Sequence, residues 1–281
     1  MSPFRKFVSE QARLFESGKK LSPPRFKTFT RKISRNTRRV LIFSPHPDDE
    51  AIVGGLALRL LREAKWNVVN VAVTLGSKKE RRAARQRELK NACAFLGFDL
   101  VFADLEKINL ETRKKNRAHW KAAVETIYKI IAEQKPRVIF LPHETDIHPA
   151  HVGTHFLVLD ALKKLPRDLE CVVVETEFWG QMKNPNLLVE SGVEDVADLI
   201  AALSFHAGEV KRNPYHARLP AWMMDNVRRG AELVGGAGAP APDFAFGAIY
   251  RLRLWRGGKL QNFFKGGKVL SARENPGGLF G

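Results

Sequence analysis

Cysteine and long apolar runs are both scarce in this chain. Its 281 residues include two cysteines, Cys93 and Cys171, which lie far apart in apolar stretches. This pattern favours buried free thiols over a disulfide framework and suits a reducing cytoplasm. No apolar run approaches the roughly eighteen residues of a membrane span. The N-terminus also lacks an apolar segment with a small-residue cleavage site, so secretion is not indicated. We therefore expect a cytoplasmic protein.

Acidic residues are too few to balance the basic ones. The chain has 30 Asp and Glu against 47 Lys and Arg, a formal net charge of +17. Residues 1–39 carry twelve basic and two acidic residues, and residues 251–281 carry seven and one, so the body between them is almost neutral. The simplest interpretation of these basic ends is a solvated surface. They also predict docking to an anionic membrane surface or polyanion, at the inner face of the membrane. No groove-reading motif predicts a specific nucleic-acid partner.

The chain does contain regularly alternating apolar and amphipathic segments. Its composition, 44% hydrophobic and 27% charged, is that of a globular protein with a large core. Continuous apolar runs predict strands at 38–45, 66–77, 98–105, 137–144 and 169–180. Helical stretches separate them, which predicts a Rossmann-like α/β fold with a mostly parallel sheet and helices on both faces.

Beyond residue 181 the pattern changes. Helices are predicted at 194–206 and 220–234, and a late strand at 246–255, which gives a mixed α/β C-terminal part. We divide the chain into a basic N-terminal arm with a short amphipathic helix (1–37), an α/β domain (38–255) and a basic C-terminal tail (256–281).

Two polar clusters follow predicted strands. The first, SPHPDDEAIVGG at 44–55, crowds His46, Asp48, Asp49 and Glu50 into one turn, where their mutual repulsion calls for a cation. The second, PHETDIHPAHVGTH at 142–155, contains four histidines. Both lie at carboxyl ends of parallel strands, where such sheets bind ligands.

Combining the clusters predicts a metal site. A histidine and a carboxylate from the first, with a histidine from the second, give three zinc ligands and an open position, the pattern of a catalytic site. A further carboxylate beside the metal can then act as general base. By spacing alone, His151 could pair with either His148 or His155.

These motifs resemble a known family. The H-P-D-D-E element, the R-x-x-E element at Arg85–Glu88 and the H-P-x-H element at 148–151 look like those of the PIG-L/LmbE-like zinc N-acetylglucosaminyl deacetylases, over about residues 38–255. The resemblance implies that His46, Asp49 and His151 bind Zn²⁺ or another divalent transition metal. It also implies that Asp48 is the general base and that His148 stabilises the oxyanion and helps protonate the leaving amine. Arg85 and Glu88 would contact substrate hydroxyls.

Several neighbouring residues have other interpretations. Glu50 begins a helix and can complement its dipole. Ala150 replaces an aspartate of the family's H-P-D-H pattern that can orient the neighbouring histidine, a role that Glu144 or Asp146 could take instead. His155 is expected outside the ligand set. Trp179 and Trp222 could stack on a sugar, although core packing is favoured.

The predicted function is a zinc-dependent hydrolase that deacetylates an N-acetylamino sugar, with N-acetylglucosamine in a larger glycoconjugate as substrate. One alternative keeps the site but cleaves another amide, such as an acylated thiol conjugate. The other is a non-catalytic, metal-containing protein that binds a polyanion through its basic ends. The spare carboxylate of Asp48 argues against this last alternative, because a purely structural site does not need it.

Overall fold

One sheet runs through the part of the chain that this computed structural model describes, residues 2–26 and 37–281. Its strands are β1 (Arg39–Ser44), β2 (Asn67–Thr74), β3 (Asp99–Leu105), β4 (Val138–Pro142), β5 (Cys171–Thr176), β6 (Leu187–Glu190), β7 (Gly247–Arg256), β8 (Lys259–Asn262) and β9 (Lys268–Leu270). Their order is β3-β2-β1-β4-β5-β7-β6-β9, and β8 pairs with β7. The first five strands are mutually parallel, which confirms the predicted fold class.

Helices cover both faces of the sheet. They are α1 (Pro3–Gly18), α2 (Asp49–Ile52), α3 (Gly55–Arg62), α4 (Arg82–Leu96), α5 (Leu110–Lys115), α6 (Arg117–Gln134), α7 (Pro149–Leu162), α8 (Val193–Ser204), α9 (Ala207–Arg212) and α10 (Tyr215–Gly235). In β1, Val40 and Ile42 pack into one core with α3, α4, α8 and α10, whereas Leu41 and Phe43 pack into the other with α6 and α7. Because successive side chains of a strand point to opposite faces, a strand buried on both sides is a continuous apolar run.

The helical stretch that begins at Glu50 is divided into α2 and α3. At the interruption, the hydroxyl of Tyr250 in β7 accepts a hydrogen bond from the Leu56 N–H (3.1 Å) and donates one to the Val53 carbonyl (2.9 Å). A buried side chain from the late strand therefore satisfies the backbone groups that the break exposes.

The C-terminal residues are part of the folded domain rather than a tail appended to it. β7 is antiparallel to β5, and β8 and β9 extend the sheet within residues 256–281. Phe280 is buried against Trp66, with ring centroids 5.6 Å apart. The buried guanidinium of Arg59 donates to the carbonyls of Ser271 (3.1 Å) and Glu274 (2.8 Å). Apolar and hydrogen-bonded contacts thus cross the predicted boundary at residue 255.

The N-terminal arm contains the predicted amphipathic helix, α1, which has no buried residue. Phe4 (81% exposed) and Phe7 (63%) point away from the body, while Arg218 of α10 lies over the ring of Phe15 at 4.7 Å. Residues 27–36 of the predicted arm lie outside the described residues. Among the described residues, none of the helices combines the length and the apolar character needed to cross a membrane.

Candidate metal centre and substrate cleft

Two loops meet at the carboxyl edge of the sheet. Since β1 and β4 are parallel neighbours, the chain leaves both strands on the same side. The loop after β1 carries His46, and the loop after β4 leads to His148 and His151 at the start of α7. The imidazole centroid of His46 lies 4.8 Å from that of His148 and 5.5 Å from that of His151, and the latter two are 5.0 Å apart. The fold therefore brings the two sequence clusters into one site.

The turn after β1 holds a strained residue. Asp48 has a φ of 116°, a region that residues other than glycine rarely adopt. Two carboxylates fasten this turn: the Asp48 N–H donates to Glu50 Oε2 (2.9 Å), and the His46 N–H donates to Asp49 Oδ2 (2.8 Å). Strain of this kind costs of the order of 1–3 kcal/mol and concentrates at functional sites.

Asp49 lies between two histidines without a hydrogen-bonding distance to either ring. Its Oδ2 is 3.7 Å from His46 Nδ1 and 3.6 Å from His151 Nε2. His151 Nε2 is buried and has no hydrogen-bond partner among the residues that the structure describes. Tetrahedral zinc with bonds of about 2.0–2.2 Å separates its ligand atoms by about 3.3–3.6 Å. The spacing and the orphaned nitrogen therefore fit a small cation bridging these side chains. His46, His148 and His151 also form a candidate metal cluster by proximity.

Asp146 supports His151 from behind. Its Oδ2 lies 3.5 Å from His151 Nδ1, and its Oδ1 accepts the His148 backbone N–H (2.8 Å). A carboxylate next to the second nitrogen of a metal-binding histidine fixes the orientation of the ring. Burial lowers the pKa of His151, but Asp49 and Asp146 outweigh it and raise the pKa above its usual value.

Asp48 is buried among other acids. Burial raises its pKa well above the usual value, and the negative charges of Asp49, Glu50 and Glu209 raise it further. The charged form of this carboxylate is thus unfavourable in the protein alone. A cation held beside Asp49 would relieve the repulsion, which is the compensation that the crowded sequence calls for.

His148 is oriented by the backbone of its own helix. Its Nδ1 accepts a hydrogen bond from the Ala150 N–H (3.3 Å), so the neutral ring carries its proton on Nε2. Burial lowers the pKa of His148, and His46 and His151 lower it further. Neither Asp146 nor Glu144 replaces the aspartate missing at 150, because the Asp146 side chain bonds the His148 backbone and Glu144 pairs with Arg251.

Glu50 has a structural role that the sequence did not indicate. The side chains of Glu50 and His206 are both fully buried, and Glu50 Oε1 lies 2.7 Å from His206 Nε2. Through its other oxygen Glu50 holds the Asp48 backbone. His206 directly precedes α9 in a segment with no motif, so no sequence signal links it to the turn. Besides the expected effect on the helix dipole, the buried Glu50 side chain therefore links His206 to the backbone of Asp48.

We expect His206→Ala to lower the free energy of unfolding by about 3 kcal/mol, because it leaves the Glu50 carboxylate buried without its partner. Urea unfolding of the metal-free protein measures this. The double variant Glu50→Gln/His206→Ala is the control, since a buried amide costs less than a buried carboxylate. It should be more stable than His206→Ala alone. A single variant as stable as the original chain would contradict the role of this pair.

A family comparison agrees with the motifs at this site. Residues 41–162, which include the candidate metal cluster, match the model of the PIG-L family, described as GlcNAc-PI de-N-acetylase. This segment of the chain is therefore similar to the PIG-L family. The match ends with the last residue of α7, so β5 and everything beyond it lie outside the matched segment.

Curated relatives of this chain include two deacetylases. One, from Bacillus cereus, is named probable N-acetyl-alpha-D-glucosaminyl L-malate deacetylase 2; it is 28% identical over 149 residues, covering 48% of this chain and 66% of the relative. The other, from Thermomonospora curvata, is 1D-myo-inositol 2-acetamido-2-deoxy-alpha-D-glucopyranoside deacetylase; it is 30% identical over 159 residues, covering 46% and 54%. The chain thus spans between about half and two thirds of these relatives.

The fold of the chain also matches solved structures. N,N'-diacetylchitobiose deacetylase from Pyrococcus horikoshii superposes with a TM-score of 0.57 at 17% identity, covering 80% of this chain and 85% of that one. This likeness extends well beyond the matched residues 41–162 and supports the assignment of the C-terminal elements to one fold.

A cleft of about 860 Å³ opens in front of the PIG-L motif residues. His46, Asp48, Asp49 and His148 line it. Arg85, which was predicted to contact substrate, also lines the cleft, but it pairs with Glu209 and donates to the Leu75 carbonyl (3.2 Å).

Glu88 is absent from the lining of this cleft. Its Oε1 accepts the Gly208 N–H (3.3 Å), which joins α4 to α9. Its carboxylate holds two helices together in this structure, and contact between Glu88 and a substrate stays a prediction.

The two tryptophans that were candidates for stacking on a sugar lie in different environments. Trp179 lines the cleft and is 42% exposed, so it can meet a substrate. Trp222 packs on Phe178, with ring centroids 5.3 Å apart, and belongs to the core, as favoured. Tyr215 also lines the cleft. Burial raises its pKa, and the charge of Asp48 raises it further. Nothing in its sequence context distinguished this tyrosine.

A second acidic cluster lies beside the PIG-L site. His155 is fully buried and meets Glu144 and Glu175, with Nε2 3.5 Å from Glu144 Oε2. Its Nδ1 lies 2.9 Å from the Pro142 carbonyl. Arg251 pairs with both glutamates and Arg253 lies 3.7 Å from Glu175. Because two arginines already balance the two carboxylates, this cluster fits an ion-pair network better than a metal site.

Proposed function

We propose that this chain hydrolyses the acetamide of an N-acetylglucosamine-type conjugate with a divalent metal, zinc, held by His46, Asp49 and His151. The observation that carries the proposal is the different position of two neighbouring carboxylates: Asp49 Oδ2 lies 3.7 Å from His46 Nδ1 and 3.6 Å from His151 Nε2, whereas the buried Asp48 lines the cleft and pairs with no histidine among the described residues. The names of the two curated relatives, both N-acetylglucosaminyl-type deacetylases, support the same reaction class.

Two side chains, Asp48 and His148, act on the reacting groups. When bound, zinc supplies Lewis acidity, which makes water nucleophilic near neutral pH. Asp48 accepts a proton from the water that attacks the acetamide carbon. His148 donates a hydrogen bond from Nε2 to the carbonyl oxygen as it becomes anionic, because Nδ1 is held by Ala150. As the carbon–nitrogen bond breaks, the proton on Asp48 moves to the amine nitrogen and acetate leaves.

The alternatives predict different products. Acetate release from N-acetylglucosamine glycosides, measured on protein loaded with zinc and on protein treated with a chelator, tests the proposal. We expect metal-dependent release of acetate and free amine. Hydrolysis of an acylated thiol conjugate without release from any sugar would favour the other amidase. No hydrolysis of either class by fully loaded protein would favour a non-catalytic role.

We further propose that α1 docks to an anionic lipid surface. Phe4, Phe7 and Val8 are exposed along one side of this helix, and Arg5 and Lys6 add positive charge. An exposed apolar stripe with flanking basic residues is typical of interfacial helices. Lipid binding would hold the catalytic cleft near a membrane without a spanning segment.

We expect Phe4→Ser/Phe7→Ser to weaken co-sedimentation with vesicles that contain phosphatidylglycerol and to leave acetate release unchanged. High salt should weaken binding of the original chain, since the attraction is screened. These substitutions are preferable to deleting residues 1–36, because Phe26 packs on Phe95 and Phe205 at 5.5 and 5.4 Å. Equal binding by the double variant, or by neutral phosphatidylcholine vesicles, would contradict the proposal.

A further inference from the structure

The cleft has a basic wall away from the candidate metal centre. Five cationic side chains line it: Lys79, Arg82, Arg85, Lys107 and Arg212. They come from separate parts of the chain. Lys79 and Arg82 follow β2, Lys107 follows β3, and Arg212 ends α9. Because β2 and β3 extend the same parallel sheet as β1, the loops that follow them open at the edge that holds His46.

Acidic partners neutralise only part of this wall. Arg85 pairs with one oxygen of Glu209, and Arg212 lies 2.6 Å from the other. Arg82 pairs with Glu106. Two carboxylates therefore face five cations, which leaves an excess positive charge of three. This is the opposite of the metal centre, where carboxylates crowd together.

Lys79 and Lys107 account for most of the excess. Both are exposed at the cleft, and neither forms an ion pair within the described residues. They flank Glu106, whose pKa is lowered first by Arg82 and then by these two lysines. Two solvated ammonium groups next to an already paired carboxylate are free to bind a further anion. Ser77 and Asn109 also line the cleft and can donate hydrogen bonds to the same group.

We infer that Lys79 and Lys107 form a subsite for an anionic group, a phosphate or a carboxylate, on the part of the substrate beyond the acetylated sugar. This rests on the proposed deacetylase function and narrows it: the substrate is an acidic conjugate. The acetamide lies at His46 and Asp48, and the acidic group lies toward the loops after β2 and β3. An acidic substrate supplies the counter-charge that the wall lacks, and its approach is favoured by the field of the cleft.

The preference for acidic over neutral substrates measures this subsite. We compare kcat/KM for three N-acetylglucosamine glycosides: a neutral methyl glycoside, one bearing a carboxylate and one bearing a phosphomonoester. The original chain should prefer an acidic glycoside by tenfold or more, mainly through KM. The preference should decrease as salt is raised. The two acidic substrates distinguish the two anion chemistries.

Substitution of the two lysines tests whether the preference for acidic glycosides arises at this subsite. Lys79→Gln and Lys107→Gln should each reduce the acidic-to-neutral ratio of kcat/KM by roughly tenfold, as expected for a lost hydrogen bond to a charged group. Lys129→Gln removes the same charge from an exposed position on α6 outside the cleft, and it should leave the ratio unchanged. A ratio near one in the original chain, or a preference that survives the double substitution, would overturn the inference.

A binding measurement separates this inference from the proposed function. Calorimetric titration of the three glycosides into the Asp48→Asn protein does not require turnover. Tighter binding of an acidic glycoside, lost in the Lys79→Gln/Lys107→Gln background, would support the subsite even if no glycoside released acetate. Equal binding of neutral and acidic glycosides, together with acetate release from both, would overturn the subsite and leave the deacetylase proposal standing.

Discussion

Replacing Asp48 with asparagine is expected to reduce acetate release by about 10²–10⁴-fold while leaving the metal bound. Asparagine has the shape of aspartate but cannot accept the proton of the attacking water. Asp48 does not belong to the group of ligand atoms around Asp49 Oδ2, so metal affinity should survive. The substitution also removes a buried charge whose pKa is raised by burial and by Asp49, which should not weaken the fold.

The matched control is Asp168→Asn. Asp168 is exposed and lies just before β5, at the amino edge of the parallel strands and so at the opposite edge from the cleft. It should leave both metal content and acetate release unchanged. Near-normal turnover in the Asp48 variant would show that another group is the base. Loss of metal in that variant would mean that Asp48 is a ligand.

Alanine at His46, Asp49 or His151 is expected to abolish most metal binding and, with it, acetate release. Each substitution leaves two of the three proposed ligands, whereas the site requires three from the protein. Elemental analysis after dialysis against a chelator and reloading with zinc measures occupancy. We expect one equivalent of zinc in the original chain and well under half of that in each variant.

His155→Asn is the control for these metal variants. Its ring lies in the neighbouring cluster of Glu144 and Glu175, balanced by Arg251 and Arg253. The control should therefore keep its zinc. Loss of zinc only in the His155 variant would show that the metal binds in that cluster instead. Full zinc in the His151 variant would refute the proposed ligand set.

The sequence by itself determined the central fold and the position of the site. Val40 to Phe43 form a continuous apolar run because both faces of β1 are covered, and helices alternate with such runs up to β5. Parallel strands place all their carboxyl ends on one edge, so chain direction alone predicts that the motifs at His46 and His148 lie on the same edge. Their direct contact depends also on the strand order, in which β1 and β4 are neighbours.

The tertiary structure decided which partners each site residue has. Several of these contacts join residues that are far apart in the chain. Glu50 pairs with His206, Glu88 accepts the Gly208 N–H, and Tyr215 lines the same cleft as Asp48. The assignment of residues 256–281 to the sheet depends likewise on the pairing of β8 with β7 and of β9 with β6. Strands of four and three residues are too short to be predicted from their sequence pattern. Such contacts are set by how helices and edge strands pack. A motif fixes only the local direction of its side chains, so it cannot specify which distant residue will bury against them.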